Sequence, residues 1–407
     1  MKFKIKIGEF VEQISQAAIT TDPKSADQPN SKVYLRAAQG KDVGVLYYYS
    51  TNQMTKTFIR SEAEIIEPGE VLVDATSLLG GLMGRDPELT CEVTVEPEVS
   101  TLVVIGRNKF HLKYYPAAER MSKEVDTLPF RIPAMATIPG QLLGDLIRRT
   151  TFCIPSASNG QQRFAMDVLH LKGVGGKWLG QATDGNIISL NYGPAPAEAK
   201  ADVPSLLIAQ EALNPLQKLL AKHKEEDIDL VNSGESDPIQ QLFFRMKGVL
   251  FGCNLRTGKF PNIGLVVEQQ SPEFATTVIR NELKSALSRA SNFVKEDSRC
   301  VKLTVNVTGI SMKVAAANDF SDIVDEVDSE VVSGTCAAMQ TTIGIDYIAN
   351  IVGVLTGEKT TLGMSTTKGR AVILSGETTT EDGKLLVGSV YAISPVTPPK
   401  PPAPAAK

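Results

Sequence analysis

Residues 210–224 read QEALNPLQKLLAKHK. At about 100° per residue, Ala212, Leu213, Leu216, Leu219 and Leu220 share one side of a helix. Lys218 and Lys222 lie on the other side, one turn apart. The stretch predicts an amphipathic helix with a leucine back and a basic front. Taken alone, such a front is a solvated surface face. Pro215 lacks the N–H that a helix interior uses, so it fits in the first turn or at a kink.

Recurrence gives this helix its meaning. The same spacing appears at 9–19, 140–150 and 278–294, and again at 75–84, 210–224 and 345–354. Within each series the starts are separated by about 135 residues, the signature of an internal repeat. Short alternating segments fill the intervals. They fall at 2–7, 33–38, 43–49, 56–66, 90–96, 101–106 and 109–115, then at 163–171, 177–183, 187–192, 227–231 and 242–251. The last set is 301–307, 311–317, 331–336, 361–365, 371–374 and 386–393. A helix, three strands, a helix and three strands, repeated three times, predicts three copies of one α+β domain. The expected limits are 1–126, 127–254 and 255–396. Residues 255–262 (LRTGKFPN) read as a crossing between domains. Residues 397–407 (TPPKPPAPAAK) form a proline-rich tail of disordered character.

With 407 residues the chain can bury a sizeable core in each domain. Its 42% hydrophobic and 22% charged content is that of a soluble globular protein. Five cysteines lie far apart with no CxxC pair, which predicts reduced thiols and a cytoplasmic protein. The opening MKFKIKIGEF lacks the apolar core of a secretory signal, and no apolar run approaches the roughly 20 residues of a membrane span. The net charge of −4 excludes general attraction to nucleic acid, so any DNA contact has to come from local basic patches. Such patches exist. The six helices and their ends carry ten basic residues, among them Arg148, Arg149, Lys218, Lys222, Lys224, Arg280, Lys284 and Arg289, against six acidic ones. The rest of the chain is therefore strongly acidic. Basic helices on an acidic body predict a surface that touches phosphates without reading bases.

Catalytic readings find little support. The three histidines, His111, His170 and His223, form no HxxxH or HExxH pattern. Residues 173–177 (GVGGK) lack phosphate-loop spacing and sit between two strands, so they predict a hairpin turn. Asp319, Asp322, Asp325 and Asp328 recur at every third residue, unlike a calcium loop with alternate ligands and a central glycine. They read as an acidic surface loop, with a nuclease carboxylate cluster as the alternative. No metal or cofactor is expected.

Particular residues then become recognisable. Met1-Lys2-Phe3, Ala63-Glu64-Ile65, 68–75 (PGEVLVDA), Asp86-Pro87-Glu88, 106–112 (GRNKFHL) and 116–119 (PAAE) come in the first third. They are followed by 146–152 (LIRRTTF), Arg163-Phe164, 182–185 (ATDG), 258–262 (GKFPN), 287–290 (LSRA) and 391–396 (YAISPV). In this order and spacing the chain resembles, over nearly its whole length, the β subunit of bacterial DNA polymerase III, the sliding clamp. The resemblance implies three repeated clamp domains, each with two helices and two four-stranded-type sheets. It implies a head-to-tail homodimer ring with helices lining the hole. Such a ring encircles double-stranded DNA without sequence specificity and tethers DNA polymerase and clamp loader through short peptides. The protein would be a processivity factor and not an enzyme. A carboxylate-based, metal-dependent nucleic-acid enzyme and a clamp-like scaffold without a DNA role are the alternatives.

The resemblance also assigns residues. The partner-peptide pocket falls on Met166, Thr183, Gly185, Asn186, Ile187, Ile188, Pro261, Leu265, Val266, Tyr347, Arg370, Ser394, Pro395 and Val396. Asn186-Ile187 stands where the family commonly has His-Arg, Gly344 where Asn is frequent, and Ser394 and Val396 replace methionines. Methionine suits a promiscuous groove, so these departures bear on peptide preference. The ring contact falls on Phe110 and Leu112 of one subunit against Phe293 of the other. Asn292 stands where an apolar residue is common, implying a more polar contact.

Overall fold

The computed structural model describes residues 1–396 apart from 23–27, 41–42, 128–129, 156–163, 196–202, 233–238, 271, 297–298, 306–310, 319–320, 335–338, 366, 368 and 380–384. The proline-rich tail, Asp319, and the start of the strand expected at 163 lie outside the described residues.

One pattern of elements runs three times along the chain. The first pass is β1 (Lys2–Lys6), α1 (Ile7–Ala17), β2 (Val33–Gln39), β3 (Gly44–Thr51), β4 (Thr55–Glu62), β5 (Glu64–Glu67), β6 (Gly69–Val73), α2 (Ala75–Leu82), β7 (Thr90–Glu96), β8 (Ser100–Ile105) and β9 (Asn108–Lys113), closed by α3 (Glu119–Asp126). The second is β10 (Ala136–Pro139), α4 (Gly140–Thr150), β11 (Val168–Val174), β12 (Lys177–Thr183), β13 (Ile187–Pro194), β14 (Val203–Ala209), α5 (Gln210–Leu220), β15 (Asp227–Asn232), β16 (Gln241–Met246) and β17 (Val249–Asn254). The third opens with α6 (Ile263–Gln270). It continues through β18 (Phe274–Ile279), α7 (Arg280–Ala290), β19 (Cys300–Val305), β20 (Ser311–Ala317), β21 (Asp322–Ser333), β22 (Met339–Gly344), α8 (Ile345–Val354), β23 (Lys359–Met364), β24 (Val372–Thr379) and β25 (Leu385–Ile393).

The helices form where apolar spacing lets one stripe be buried. Ile7, Phe10, Ile14 and Ala17 of α1 are buried, and so are all five apolar residues read from α5. Each fully buried leucine contributes roughly 2 kcal/mol. Helix α2 is capped by Asp74, whose carboxylate accepts from the Ser77 amide at 2.8 Å. Pro215 lies inside α5, past the first turn, so the Glu211 carbonyl lacks the donor at that position.

By spatial clustering the chain forms two compact bodies. One is built from Met1–Gly144 and Glu211–Thr257, the other from Asp145–Ala197, Ala201–Gln210 and Gly258 onward. In the first, an eight-stranded antiparallel sheet runs β6-β2-β3-β4-β17-β16-β15-β10, beside a five-stranded sheet β5-β1-β7-β8-β9. In the second, a twelve-stranded sheet runs β14-β11-β12-β13-β25-β24-β23-β18 and continues through β21-β20-β19-β22. The eight-strand order is built twice from corresponding strands: β4 pairs with β17 as β13 pairs with β25. Each central seam includes an apolar pair, Ile59 opposite Val249 and Ile187 opposite Ile393.

Several expectations change. The helix read at 278–294 is a strand as far as Ile279, where β18 pairs with β23, and the helix begins at Arg280. The acidic stretch read as a loop is β21, paired with β18 and β20. Its aspartates are three apart, so they alternate across the strand: Asp322 and Asp328 are exposed, while Asp325 is half-buried on the other face. Helix α3 lies at 119–126, outside the helical and strand segments read from sequence, and α6 follows the crossing at 255–262. Strand β14 (VPSLLIA) leads into α5, so its leucines merge with the helical pattern in sequence. Residues 173–177 do form a hairpin, with Gly175 and Gly176 at φ 56° and 74°.

Candidate functional site

The basic helix residues fall into three groups. Lys218 and Lys284 are exposed and have no ion pair among the described residues. Lys222, Lys224 and Arg289 are exposed but paired: Lys222 Nζ with Glu12 at 3.1 Å, Lys224 Nζ with Glu225 at 3.6 Å, Arg289 Nε with Asp325 at 2.8 Å. Exposed pairs of this kind are worth little and exchange readily for a phosphate. Arg148 and Arg280 converge on the carboxyl end of α8. Arg148 Nη1 donates to the Val354 carbonyl at 2.9 Å, and Arg280 Nε donates to the Gly357 carbonyl at 2.8 Å. Two guanidiniums there complement the unpaired carbonyls of a helix terminus.

Arg149 departs from the expectation that it faces DNA. It is 1% exposed. Its guanidinium donates to Ser389 Oγ at 2.8 Å and Thr356 Oγ1 at 3.2 Å. Its own carbonyl accepts from Ser189 Oγ at 3.0 Å and the Tyr391 hydroxyl at 3.1 Å. Burial lowers its pKa. Arg149 is a structural tie within the second body, and the adjacent Arg148 is the outward one.

Both signs of charge occur on each side of one layer of the second body, with Arg280, Lys284 and Arg289 beside Glu282 on α7. Helix α7 packs on β18, β20 and β21. Asp325, Val327 and Ser329 of β21 turn toward that helix, where Asp325 meets Arg289. Asp322, Glu326, Asp328 and Glu330 are exposed on the opposite face, where Lys313 stands across from Glu326 and Lys359 pairs with Glu330 at 2.8 Å. Among the described residues, no group of three His, Cys, Asp or Glu could hold a metal ion.

The residues assigned to a peptide pocket come together in the second body. The turn between β12 and β13 is fixed by Asp184, whose Oδ1 accepts from the Asn186 and Ile187 amides at 2.8 Å each. Thr183 Oγ1 donates to the Ile187 carbonyl at 2.7 Å, and Gly185 takes φ 96°, where a side chain would be strained. Tyr347 of α8 donates its hydroxyl to Asp184 Oδ2 at 2.7 Å. Burial, then this contact, pushes the Tyr347 phenol up to about 12. The segment after β25 is held by two backbone bonds of 2.8 Å, from Ser394 N to the Asn186 carbonyl and from Val396 N to the Thr342 carbonyl. Arg370 Nη1 donates to the Gln269 and Gln270 carbonyls at 2.9 Å, closing the end of α6. That helix packs against β13.

On this frame Leu265, Val266 and Val396 are 49%, 41% and 37% exposed, an apolar surface open to solvent. Ile187 is buried, while Met166, Ile188, Pro261 and Pro395 are half-buried and Gly185, Asn186 and Ser394 exposed. Thr342 is not legible in sequence as a site residue, whereas Asp184 belongs to a run that reads as both turn and pocket wall. An aspartate opening a Thr-Asp-Gly-Asn turn was the available signal for Asp184. The residues assigned to ring contact behave differently from one another. Leu112 is 8% exposed and belongs to the core. Phe110 and Phe293 are half-buried. The Phe110 ring lies over Gly81, where an added Cβ would come within 2.5 Å of it.

Comparison with known proteins follows from this architecture. No family model matches the sequence. The beta sliding clamp of Bacillus subtilis (strain 168) is 25% identical over 346 residues, 81% of this chain and 83% of the relative. That of Pseudomonas putida is 22% identical over 81% of this chain and 87% of the relative. The crystal structure of the Bacillus subtilis DNA polymerase sliding clamp superposes with a TM-score of 0.81 at 20% identity, covering 98% of this chain and 99% of that one. The Pseudomonas aeruginosa clamp bound to griselimycin superposes with a TM-score of 0.80 at 21% identity and the same coverage.

This chain has the sliding-clamp fold. The thrice-repeated clamp pattern thus accounts for both the 135-residue spacing and the twice-built sheet. No helix among the described residues is long and apolar enough to cross a membrane.

Proposed function

We propose that this clamp-fold protein is a DNA polymerase processivity factor of the polymerase III β type. Two chains form a head-to-tail ring of six domains, divided in each chain at 1–126, 127–254 and 255–396. The ring encircles double-stranded DNA without sequence preference, and it acts in the cytoplasm. It is not an enzyme. The observation that carries this reading is a fold that matches sliding clamps over 98% of the chain, with Lys218, Lys222, Lys224 and Lys284 exposed on its helices.

A polyanion held by exposed cations with no base contacts can translate at little sequence-dependent cost. Ring closure supplies retention, so a net charge of −4 is no obstacle. The contact set comprises Lys218, Lys222, Lys224, Lys284 and Arg289, with Arg148 and Arg280 presenting the end of α8. Polymerase and loader peptides seat on Leu265, Val266 and Val396. Their main chain is met by the Thr183–Ile188 turn, Tyr347 and Ser394. Phe110 meets Phe293 of the second chain.

The test is charge reversal. The triple variant Lys218→Glu, Lys222→Glu, Lys284→Glu changes only exposed side chains. It is expected to fold and to abolish clamp-dependent stimulation of polymerase on primed DNA. Undiminished stimulation would show that these helices do not face the duplex.

A further inference from the structure

A second cleft lies in the first body, on the face of the β2–β4 sheet opposite α1. Its volume is about 830 Å³. Its floor is aromatic. Tyr47 and Phe58 have ring centroids 5.7 Å apart, and Phe58 and Phe130 4.6 Å apart. Phe58 is buried, while Tyr47 and Phe130 are half-buried and present part of their rings to the space above.

The wall is built to stay in place. Arg245 donates from Nη1 to the carbonyls of Phe130 and Ile132 at 3.1 and 2.8 Å, and its Nη2 is held by Asp229 at 2.8 Å. The rim is basic. Register places Arg36, Tyr47 and Arg60 in one cross-strand row. Arg131 stands on the wall. Arg36 is committed to Asp126 at 2.8 Å. Arg60 and Arg131 are exposed and have no ion pair among the described residues. The cleft thus carries three guanidiniums and one carboxylate on a chain of net charge −4.

We propose that this cleft docks an acidic peptide segment of a partner protein that carries an aromatic anchor. The anchor stacks on Tyr47, Phe58 and Phe130, an arrangement aromatic rings favour. Flanking carboxylates are forked by Arg60 and Arg131, the geometry for which guanidinium is suited. The site would give the protein a second partner surface that does not compete with the pocket at Leu265 and Val396.

The probe is a fluorescein-labelled pentapeptide, Asp-Glu-Trp-Glu-Asp, with Lys-Lys-Trp-Lys-Lys as its control, titrated by anisotropy against the full chain. Saturable binding of the acidic probe alone is expected. The double variant Arg60→Glu, Arg131→Glu should weaken it about tenfold or more. Val396→Asp, which puts a charge in the other pocket, should leave it within about twofold of the parent. The proposal is overturned by absence of saturation up to about 1 mM, by equal binding of both probes, or by an arginine double variant that binds like the parent. Loss of binding in Val396→Asp would reassign the probe to the other pocket. Displacement by equimolar dATP would make the cleft a nucleotide site.

Discussion

Substituting Arg149 separates a buried tie from a DNA contact. Its side chain is 1% exposed and bridges Ser389 on β25 to Thr356, which follows α8. Truncation in Arg149→Ala strands the buried Ser389 hydroxyl without its donor, at about 1–3 kcal/mol, while the exposed Thr356 hydroxyl turns to water. It also opens a cavity where a long side chain had been, so the total loss is about 3–5 kcal/mol. Arg149→Met fills most of the volume and removes the buried charge, so its cost falls to about 1–2 kcal/mol. The assay is urea unfolding followed by fluorescence of Trp178, the single tryptophan, buried in β12 of the same body. At an m-value of about 2 kcal/mol per molar, the alanine variant should lower the midpoint by about 2 M. The reasoning fails if alanine and methionine cost the same. It also fails if either variant keeps its stability while losing DNA-dependent activity, because the guanidinium would then be facing the duplex.

Three further outcomes follow. Burial holds His170 at a pKa of about 4 against 6.5 in the unfolded chain, so the unfolded state takes up the proton first. Stability should therefore be fully present above pH 6.5 and fall by about 3 kcal/mol toward pH 4, a slope that His170→Gln should remove in pH-dependent urea titrations. In the peptide pocket, Tyr347→Phe releases Asp184 and should weaken a polymerase-derived peptide about three- to tenfold by calorimetry, with the melting temperature unchanged; an unaltered affinity would mean that the turn holds without it. Gly81→Val meets the Phe110 ring and should shift the chain toward monomer in sedimentation, whereas unchanged self-association would remove Phe110 from the ring contact.

The elements that sequence revealed are those with one buried stripe. The leucines at 212–220 and the apolar positions of α4 and α7 are amphipathic, and each is buried on the face that periodicity indicates. The period survived because each repeat keeps the same helix spacing. Short or acidic elements were hidden. Strand β21 has mostly exposed residues and carries its aspartates at every third position, so alternation is visible only through pairing with β18 and β20. Helix α6 has one buried residue and therefore almost no stripe.

At the candidate site, residue types were legible and orientation was not. Arg148 and Arg149 are neighbours on α4, and nothing in the pair LIRRTTF says which one points inward. The choice is made by Ser389 and Thr356, more than 200 residues away in sequence. The aromatic cleft was equally invisible, because its floor draws on β3, β4 and a segment more than 70 residues downstream. Pocket residues are legible through resemblance to a known family, and Asp184 reads as part of their turn, while its bond to Tyr347, 163 residues away, is visible only in the fold.

The most direct test is negative-stain electron microscopy of the purified protein. Class averages should show closed rings of two chains around a central hole wide enough for duplex DNA. Solid particles without a hole, at concentrations where the dimer persists, would contradict the proposal that this protein encircles DNA.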